Sequence, residues 1–244
     1  MTISETGLRA FALQLKTHPG DFDRNITRLA EKVRGLPEGS LVVTPEVFVT
    51  GYPYDRLDDA ANSGEKALSL MTGLSKGKIV TLTLIVKEKG RYYNRSFVFH
   101  DGNIVHTQNK VKLFLLGEED RYLTAGSMEE IRPFEIDGIR FGLTVCFELR
   151  YPEIWLRLRG ADAILVPARW GLPRKKHLEA MSRALGIANQ CYCIVANSGD
   201  DEMARSSAIV TPNGDMHLDD LAETIEGRVD LRSVKKIRRY IKMG

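Results

Sequence analysis

Residues 139–153 read IRFGLTVCFELRYPE, and this stretch indicates the type of fold. Its first part, residues 139–145, is mostly apolar and predicts a strand. Pro152 suits the first turn of a helix, where its missing N–H costs no hydrogen bond, and that helix is predicted to continue to Arg159. Cys146 therefore lies between the end of a strand and the start of a helix.

The rest of the chain also alternates strands and helices. Ile26, Leu29, Ala30 and Val33 have the i, i+3, i+4, i+7 spacing of a helix over residues 21–35, and a second helix is predicted over residues 174–190. Further strands are predicted at residues 8–16, 41–44, 79–86, 92–100, 104–108, 163–167, 191–196, 207–211 and 224–230. No Pro-, Gly- or Ser-rich linker separates these elements. One α/β domain with a mixed sheet, or with two sheets packed face to face, fits this order best.

The distribution of charge argues against nucleic-acid binding. The chain of 244 residues is 43% hydrophobic and 27% charged, which is ordinary for a soluble globular protein with a sizeable core. Its formal net charge is +3, but residues 231–244 hold six basic residues and no acidic one, which leaves −3 for residues 1–230. That body lacks the broad basic face of nucleic-acid-binding proteins. Val234, Ile237 and Ile241 form an apolar stripe in the basic segment, which indicates a helix that packs on the fold or contacts another subunit.

The cysteines and the apolar segments indicate the compartment. Cys146, Cys191 and Cys193 are odd in number and lack C-x-x-C spacing, unlike a disulfide framework or a structural zinc site. The N-terminus has no basic region followed by a long apolar stretch, and the longest apolar run, residues 79–86, is too short to span a bilayer. We therefore expect a cytoplasmic protein that binds neither membrane nor nucleic acid.

Three reactive side chains, Glu46, Lys110 and Cys146, each follow a predicted strand. Ligands collect at the carboxyl ends of strands in open α/β sheets, so these groups are candidates for one shared site. Taken singly, each also has an ordinary structural role, as a solvated glutamate, a surface lysine or a core cysteine.

Two other interpretations have less support in the sequence. Residues 73–78, GLSKGK, are similar to a phosphate-binding loop, but the segment is one residue short and Ile79 stands where Ser or Thr would coordinate magnesium. His177 is the best candidate base for a papain-like Cys–His mechanism, and the sequence around Cys146 lacks the matching context.

The residues that flank the three reactive groups resemble the nitrilase superfamily of carbon–nitrogen hydrolases. Residues 44–52, TPEVFVTGY, are similar to its PE-x-x-x-x-GY motif, and residues 109–114, NKVKLF, to its RK-x-HLF motif, with Asn109 and Lys112 in place of Arg and His. Residues 142–153 are similar to its nucleophile motif, G-x-x-IC-Y-D-x-R-[FY]-PE. Residues 183–192 and 207–214 match two further motifs in the same order, so the resemblance extends from about residue 8 to residue 240.

This resemblance implies a four-layer α-β-β-α sandwich and a single carbon–nitrogen hydrolase domain over residues 1–244. It also implies a catalytic triad of Glu46, Lys110 and Cys146, with a second active-site glutamate at Glu118 or Glu119. Residues 119–126, EDRYLTAG, are similar to the family's E-x-x-x-[LF]-x-P-G segment and favour Glu119. No metal or organic cofactor is expected.

The residue types of the triad suit amide hydrolysis. A thiol is mostly protonated at neutral pH, so Cys146 needs a base, and Glu46 can take its proton and return it to departing ammonia. We expect burial near Glu119 to raise the proton affinity of Glu46. Lys110 and the backbone N–H of Phe147 are the expected donors to the oxyanion.

Within the family, the resemblance is greatest to small aliphatic amidases and ω-amidases, through residues 167–170, PARW, and 177–179, HLE. Phe147 and Leu178 stand where Tyr and Trp are common. Residues 51–55, GYPYD, are instead similar to the glutaminase domains of NAD synthetases. The side chains expected to bind substrate are Phe147, Tyr52, Arg169 and Trp170.

The expected reaction is hydrolysis of a small ω-amide or aliphatic amide through a Cys146 thioester, with release of ammonia. The triad alone does not distinguish this from an N-carbamoyl amide hydrolase or a nitrilase, and a non-catalytic binding protein is a third hypothesis. The family generally assembles through surface helices, which implies a homodimer or a larger homo-oligomer.

Overall fold

The computed structural model describes residues 7–243, so the predicted domain of residues 1–244 and the basic segment 231–244 extend partly outside the described residues. Within this range the strands are β1 (Leu8–Leu13), β2 (Ser40–Val43), β3 (Ile79–Glu88), β4 (Arg91–His100), β5 (Asn103–Asn109), β6 (Phe134–Ile136), β7 (Ile139–Leu143), β8 (Ala163–Pro167), β9 (Tyr192–Ala196), β10 (Ala208–Val210), β11 (Met216–Leu218) and β12 (Thr224–Val229). The helices are α1 (Phe22–Arg34), α2 (Leu57–Leu74), α3 (Glu119–Tyr122), α4 (Pro152–Arg157), α5 (Lys175–Asn189) and α6 (Leu231–Tyr240).

The strands form two mixed sheets that pack face to face. One sheet has the order β12-β1-β2-β3-β4-β5 and the other β11-β10-β9-β8-β7-β6. β1 contacts β9 and β10 across the interface, α1 and α2 pack together beside β3, and α5 covers β9 and β10 with α4 beside it. The result is an α-β-β-α sandwich, which confirms the predicted fold class.

The predicted helix over residues 21–35 is confirmed as α1. The Asp21 side chain accepts a hydrogen bond from the Arg24 N–H at 3.1 Å and caps the first turn, and Gly35 follows the last. Ile26, Leu29 and Val33 are buried on one face, as the spacing predicts.

Helix α2 was not predicted, because most of its buried residues are small. Ala60, Ala61, Gly64 and Ala67 carry little hydrophobic signal, although all are buried. A Cβ on Gly64 would lie 3.0 Å from the Ile85 carbonyl oxygen, so this residue lets the helix approach β3 closely. Residues 73–78 connect the end of α2 to β3, whereas a phosphate-binding loop leads from a strand into a helix.

The basic C-terminal segment forms α6, which packs on the fold. Val234 is buried in the core between the sheets and α6, and Arg238 forms an ion pair with Asp162 at 3.0 Å. Ile241 is largely exposed, so the predicted apolar stripe is only partly buried. No helix within residues 7–243 is long and apolar enough to cross a membrane.

Candidate active site

The sheets bring Glu46, Lys110 and Cys146 together at one end of the sandwich. β5 runs in the same direction as β2, so the segments that follow these two strands emerge at the same edge and carry Lys110 and Glu46. Cys146 follows β7 in the opposite sheet. Only 1% of Glu46, 0% of Lys110 and 8% of Cys146 is exposed, so none of the three is an ordinary surface group.

Lys110 lies between two carboxylates. Its Nζ is 2.8 Å from Glu46 Oε1 and 2.7 Å from Glu119 Oε1, and the Tyr52 hydroxyl oxygen accepts a third, longer hydrogen bond at 3.3 Å. A buried ammonium is tolerated only when it is paired and hydrogen-bonded, and here all three of its N–H groups have an acceptor.

Glu46 receives two further hydrogen bonds from neutral side chains. The Tyr52 hydroxyl donates to Glu46 Oε1 at 2.6 Å and Asn94 Nδ2 donates to the same oxygen at 2.9 Å. The backbone carbonyl of Asn94 also accepts a hydrogen bond from the Lys110 backbone N–H at 2.8 Å. Sequence analysis missed Asn94, for which the available signal was an amide inside the apolar and aromatic run of β4. Tyr52 was predicted to bind substrate, and in this structure its hydroxyl contacts Glu46 and Lys110.

The expected rise in the proton affinity of Glu46 is wrong in direction. Burial raises the pKa of this carboxyl, but the Lys110 ammonium and the hydrogen bonds from Lys110, Tyr52 and the Cys146 thiol outweigh burial and lower it. Glu119 shows the opposite balance, because burial and the nearby Glu46 charge raise its pKa more than Lys110 lowers it. Glu46 is therefore an ionised base in the resting site, and Glu119 is the carboxyl with raised proton affinity.

Cys146 has a strained backbone and a protonated sulfur. Its φ angle is 51°, in the left-handed region that only a few per cent of non-glycine residues adopt, and it begins a short 3₁₀ turn, Cys146–Arg150. Burial and the Glu46 carboxylate raise the pKa of the thiol. Its sulfur accepts the Arg169 backbone N–H at 3.4 Å, and the thiol donates a hydrogen bond to the Glu46 carboxylate. The thiol therefore directly faces its base.

The two candidate second glutamates have different environments. Glu119 is buried, and besides Lys110 its carboxylate accepts the Phe114 N–H at 3.1 Å. Glu118 is exposed and pairs with Arg121. The geometry thus favours Glu119. His177, the alternative base, has its Nδ1 3.1 Å from an Arg150 guanidinium nitrogen, whereas the Cys146 sulfur contacts Glu46 and Arg169.

A pocket opens above Cys146 and combines aromatic walls with arginines. Its lining is Phe114, Cys146, Phe147, Arg150, Arg169, Trp170 and Arg174. Phe147, Arg169 and Trp170 were predicted to bind substrate and lie here, whereas Arg150 and Arg174 were missed, although Arg150 belongs to the quoted nucleophile motif.

The three arginines of this pocket differ in their partners. The Arg169 guanidinium is paired with Asp200 at 2.8 Å. Arg150 lies over the Trp170 ring, 4.7 Å from its centroid, and Arg174 lies over the Phe114 ring at 5.2 Å. Within residues 7–243 neither Arg150 nor Arg174 has a carboxylate at ion-pair distance, so both leave positive charge at the pocket.

Comparison with known proteins agrees with this geometry. Residues 9–239 match the sequence model of the carbon-nitrogen hydrolase family. A 2-oxoglutaramate amidase of Bacillus subtilis is 31% identical over 215 residues, covering 82% of each chain, and omega-amidase YafV of Escherichia coli is 27% identical over 220 residues, covering 86% of this chain and 84% of its own. The crystal structure of Saccharomyces cerevisiae Nit3, a member of branch 10 of the nitrilase superfamily, superposes with a TM-score of 0.84 at 21% identity, covering 98% of this chain and 95% of Nit3.

Proposed function

Because the chain belongs to the carbon–nitrogen hydrolase family and is an amidase of the nitrilase superfamily, we propose that it hydrolyses the terminal amide of a small molecule that carries a carboxylate at its other end. The observation that carries this proposal is the pocket above Cys146, whose lining includes Arg150 and Arg174 as sources of positive charge. Arginine is well suited to bind a carboxylate through two parallel hydrogen bonds. The names of the two curated relatives, a 2-oxoglutaramate amidase and an omega-amidase, agree with such a substrate.

In the first step, the Cys146 sulfur attacks the amide carbonyl and Glu46 accepts the thiol proton. The lowered pKa of Glu46 keeps this group ionised, and the raised pKa of Cys146 keeps the thiol protonated until the substrate arrives. Proton transfer therefore accompanies attack, as in general base catalysis of a weak nucleophile.

Lys110 is the proposed donor to the oxyanion, together with the Phe147 backbone N–H. Of its three hydrogen bonds, the one to the Tyr52 hydroxyl is the longest at 3.3 Å. The Nζ–H group that makes this longest bond is the easiest to redirect to the substrate oxygen, while the bonds to Glu46 and Glu119 hold the ammonium in place. Preorganised donors of this kind typically contribute about 10²- to 10³-fold in rate.

Collapse of the tetrahedral intermediate breaks the carbon–nitrogen bond, and Glu46 returns its proton to the departing ammonia. A thioester between the acyl group and Cys146 remains. Glu46, again ionised, takes a proton from a water molecule that attacks the thioester carbonyl. The carbon–sulfur bond then breaks, the carboxylic acid is released, and Glu46 returns the proton to the Cys146 sulfur. Glu119 orients Lys110 throughout, since it bonds both Nζ and the Phe114 N–H.

An ammonia-release assay over four substrate classes tests this function, with Cys146→Ala as the blank. The classes are monoamides of dicarboxylic acids, neutral aliphatic amides of the same length, N-carbamoyl amino acids and nitriles. We expect the monoamides to have the highest kcat/KM, and Arg150→Met and Arg174→Met each to reduce that preference. Carbon dioxide released with the ammonia identifies an N-carbamoyl amide hydrolase, acid formed from a nitrile identifies a nitrilase, and no ammonia from any amide refutes the proposal.

We also propose that the chain self-associates through its outer helices. Leu156 on α4 and Ile187 on α5 are exposed apolar side chains on two helices that pack together, and Tyr240 and Ile241 are exposed at the end of α6. Exposed apolar clusters of this kind are typical of protein interfaces. Sedimentation equilibrium should give at least twice the 27.4 kDa of one chain, and a monomer at micromolar concentration would contradict this proposal.

A further inference from the structure

Glu148 is a fully buried carboxylate that the mechanism above does not use. It lies in the turn Cys146–Arg150, two residues after the nucleophile, and none of it is exposed. The Val111 N–H donates to its Oε1 at 2.6 Å and the Val145 N–H donates to its Oε2 at 2.6 Å, while the Thr144 hydroxyl lies 3.4 Å from Oε2.

The two backbone donors belong to the segments that carry the reactive side chains. Val111 directly follows Lys110, after β5 of one sheet, and Val145 directly precedes Cys146, after β7 of the other. β5 and β7 are not hydrogen-bonded strand neighbours, since each is in a different sheet. One carboxylate therefore connects the Lys110 segment to the Cys146 segment across the sheet interface.

We propose that Glu148 is a positioning residue that holds Cys146 in register with Lys110 and Glu46 by binding the Val111 and Val145 N–H groups with its two carboxylate oxygens. The predicted effect of Glu148 on turnover rests on the proposed function, whereas its predicted effect on the reactivity of the Cys146 thiol does not. A purely local role as a helix cap would need only the bond to Val145, three residues earlier in the chain. The bond to Val111 comes from a segment 37 residues away and has no such explanation.

The chemistry of the side chain makes this role sensitive to substitution. The carboxyl group of glutamate presents an oxygen to each of the two N–H groups, whereas a glutamine of the same length presents one oxygen and turns an NH₂ group toward the second N–H. An aspartate keeps the carboxyl group but is one methylene shorter, so it cannot keep both bonds at their present lengths. We therefore expect the alkylation rate of Cys146 and kcat to decrease in the order wild type, Glu148→Asp, Glu148→Gln.

The test measures the rate at which iodoacetamide alkylates Cys146, mapped by peptide mass so that Cys191 and Cys193 are counted separately, together with kcat and KM. For Glu148→Gln we expect alkylation and kcat to fall at least about tenfold with KM within about twofold, because small misplacements of reacting groups cost up to about 10²-fold in rate. For Glu148→Asp, the alkylation rate and kcat should lie between those of Glu148→Gln and those of the wild type. Leu29→Ala, a destabilising change in the core beneath α1, is the matched control and should leave both rates unchanged.

Wild-type alkylation and kcat in Glu148→Gln would overturn the proposal. If that variant does not fold, Glu148→Asp decides: reduced alkylation and kcat support the role, and wild-type values overturn it. Should the variants alter alkylation as expected while the wild-type enzyme releases no ammonia from any amide, the proposed function fails and the positioning role stands.

Discussion

Replacing Lys110 by methionine removes the ammonium that lies between two buried carboxylates. The ammonium is 2.8 Å from Glu46 Oε1 and 2.7 Å from Glu119 Oε1, and breaking a buried ion pair on one side typically costs about 3–5 kcal/mol. We therefore expect the free energy of unfolding of Lys110→Met to fall by about 3–5 kcal/mol near neutral pH. Since two like charges cannot both remain ionised at this distance, one of the carboxyls takes up a proton.

The double variant of Lys110→Met and Glu119→Gln tests whether this loss of stability comes from the carboxylates that are left unpaired. In a Glu119→Gln background only one carboxylate is left without its cation, so Lys110→Met should cost about 1–3 kcal/mol less than in the wild type. The assay is urea denaturation of the four proteins of this cycle, combined with the pH profile of kcat/KM, whose acidic limb should move to higher pH once Lys110 no longer lowers the pKa of Glu46. Additive losses, or a Lys110→Met protein within about 1 kcal/mol of the wild type, would refute the electrostatic account of the site.

Three further predictions concern Tyr52, Glu119 and Glu148. Tyr52→Phe removes the 2.6 Å hydrogen bond to Glu46, so it should raise the pKa of Glu46 and lower kcat by about 3- to 10-fold with little change in KM, which steady-state kinetics over a pH range will measure. Glu119→Gln should reduce kcat by at least about tenfold, while Glu118→Gln, its exposed neighbour, stays within about twofold; equal effects would contradict the assignment of Glu119. Burial raises the pKa of Glu148 from 4.5 to about 7, so the folded state binds this proton more tightly than the unfolded state and stability falls as pH rises through this range. In urea titrations, the free energy of unfolding of the wild type minus that of Glu148→Gln should fall by up to about 3 kcal/mol between pH 5 and pH 8. If this difference does not change with pH, it would argue against a buried carboxyl with a raised pKa.

The strand and helix pattern predicted an α/β domain with one mixed sheet or two packed sheets, and the resemblance of the motifs to a known family implied the four-layer sandwich and the three reactive residues. Apolar segments mark the central strands, and each of Glu46, Lys110 and Cys146 stands inside a motif directly after a strand. Helix α2 was missed because most of its buried residues are small, mainly alanines and a glycine, which gives a weak periodic hydrophobic signal.

The remaining features of the site depend on contacts between distant segments. Asn94 lies 48 residues from Glu46 in the chain, and its role becomes visible only when β4 pairs with β3, one strand away from β2. The Lys110 charge and the hydrogen bonds from Lys110, Tyr52 and Cys146 together outweigh the effect of burial, which is why the expected direction of the Glu46 pKa was wrong. Glu148 likewise looks like an ordinary charged residue until the Val111 N–H is found beside it.

The most direct test of the account is to trap the acyl-enzyme. The wild-type protein is mixed with a saturating monoamide of a dicarboxylic acid, quenched in acid within the first turnovers and analysed by intact mass and peptide mapping, with Cys146→Ala as control. We predict an added mass equal to the substrate less ammonia, located on the peptide that contains Cys146 and absent from the control. Ammonia release by Cys146→Ala at the wild-type rate, with no adduct on the wild-type protein, would contradict the central claim.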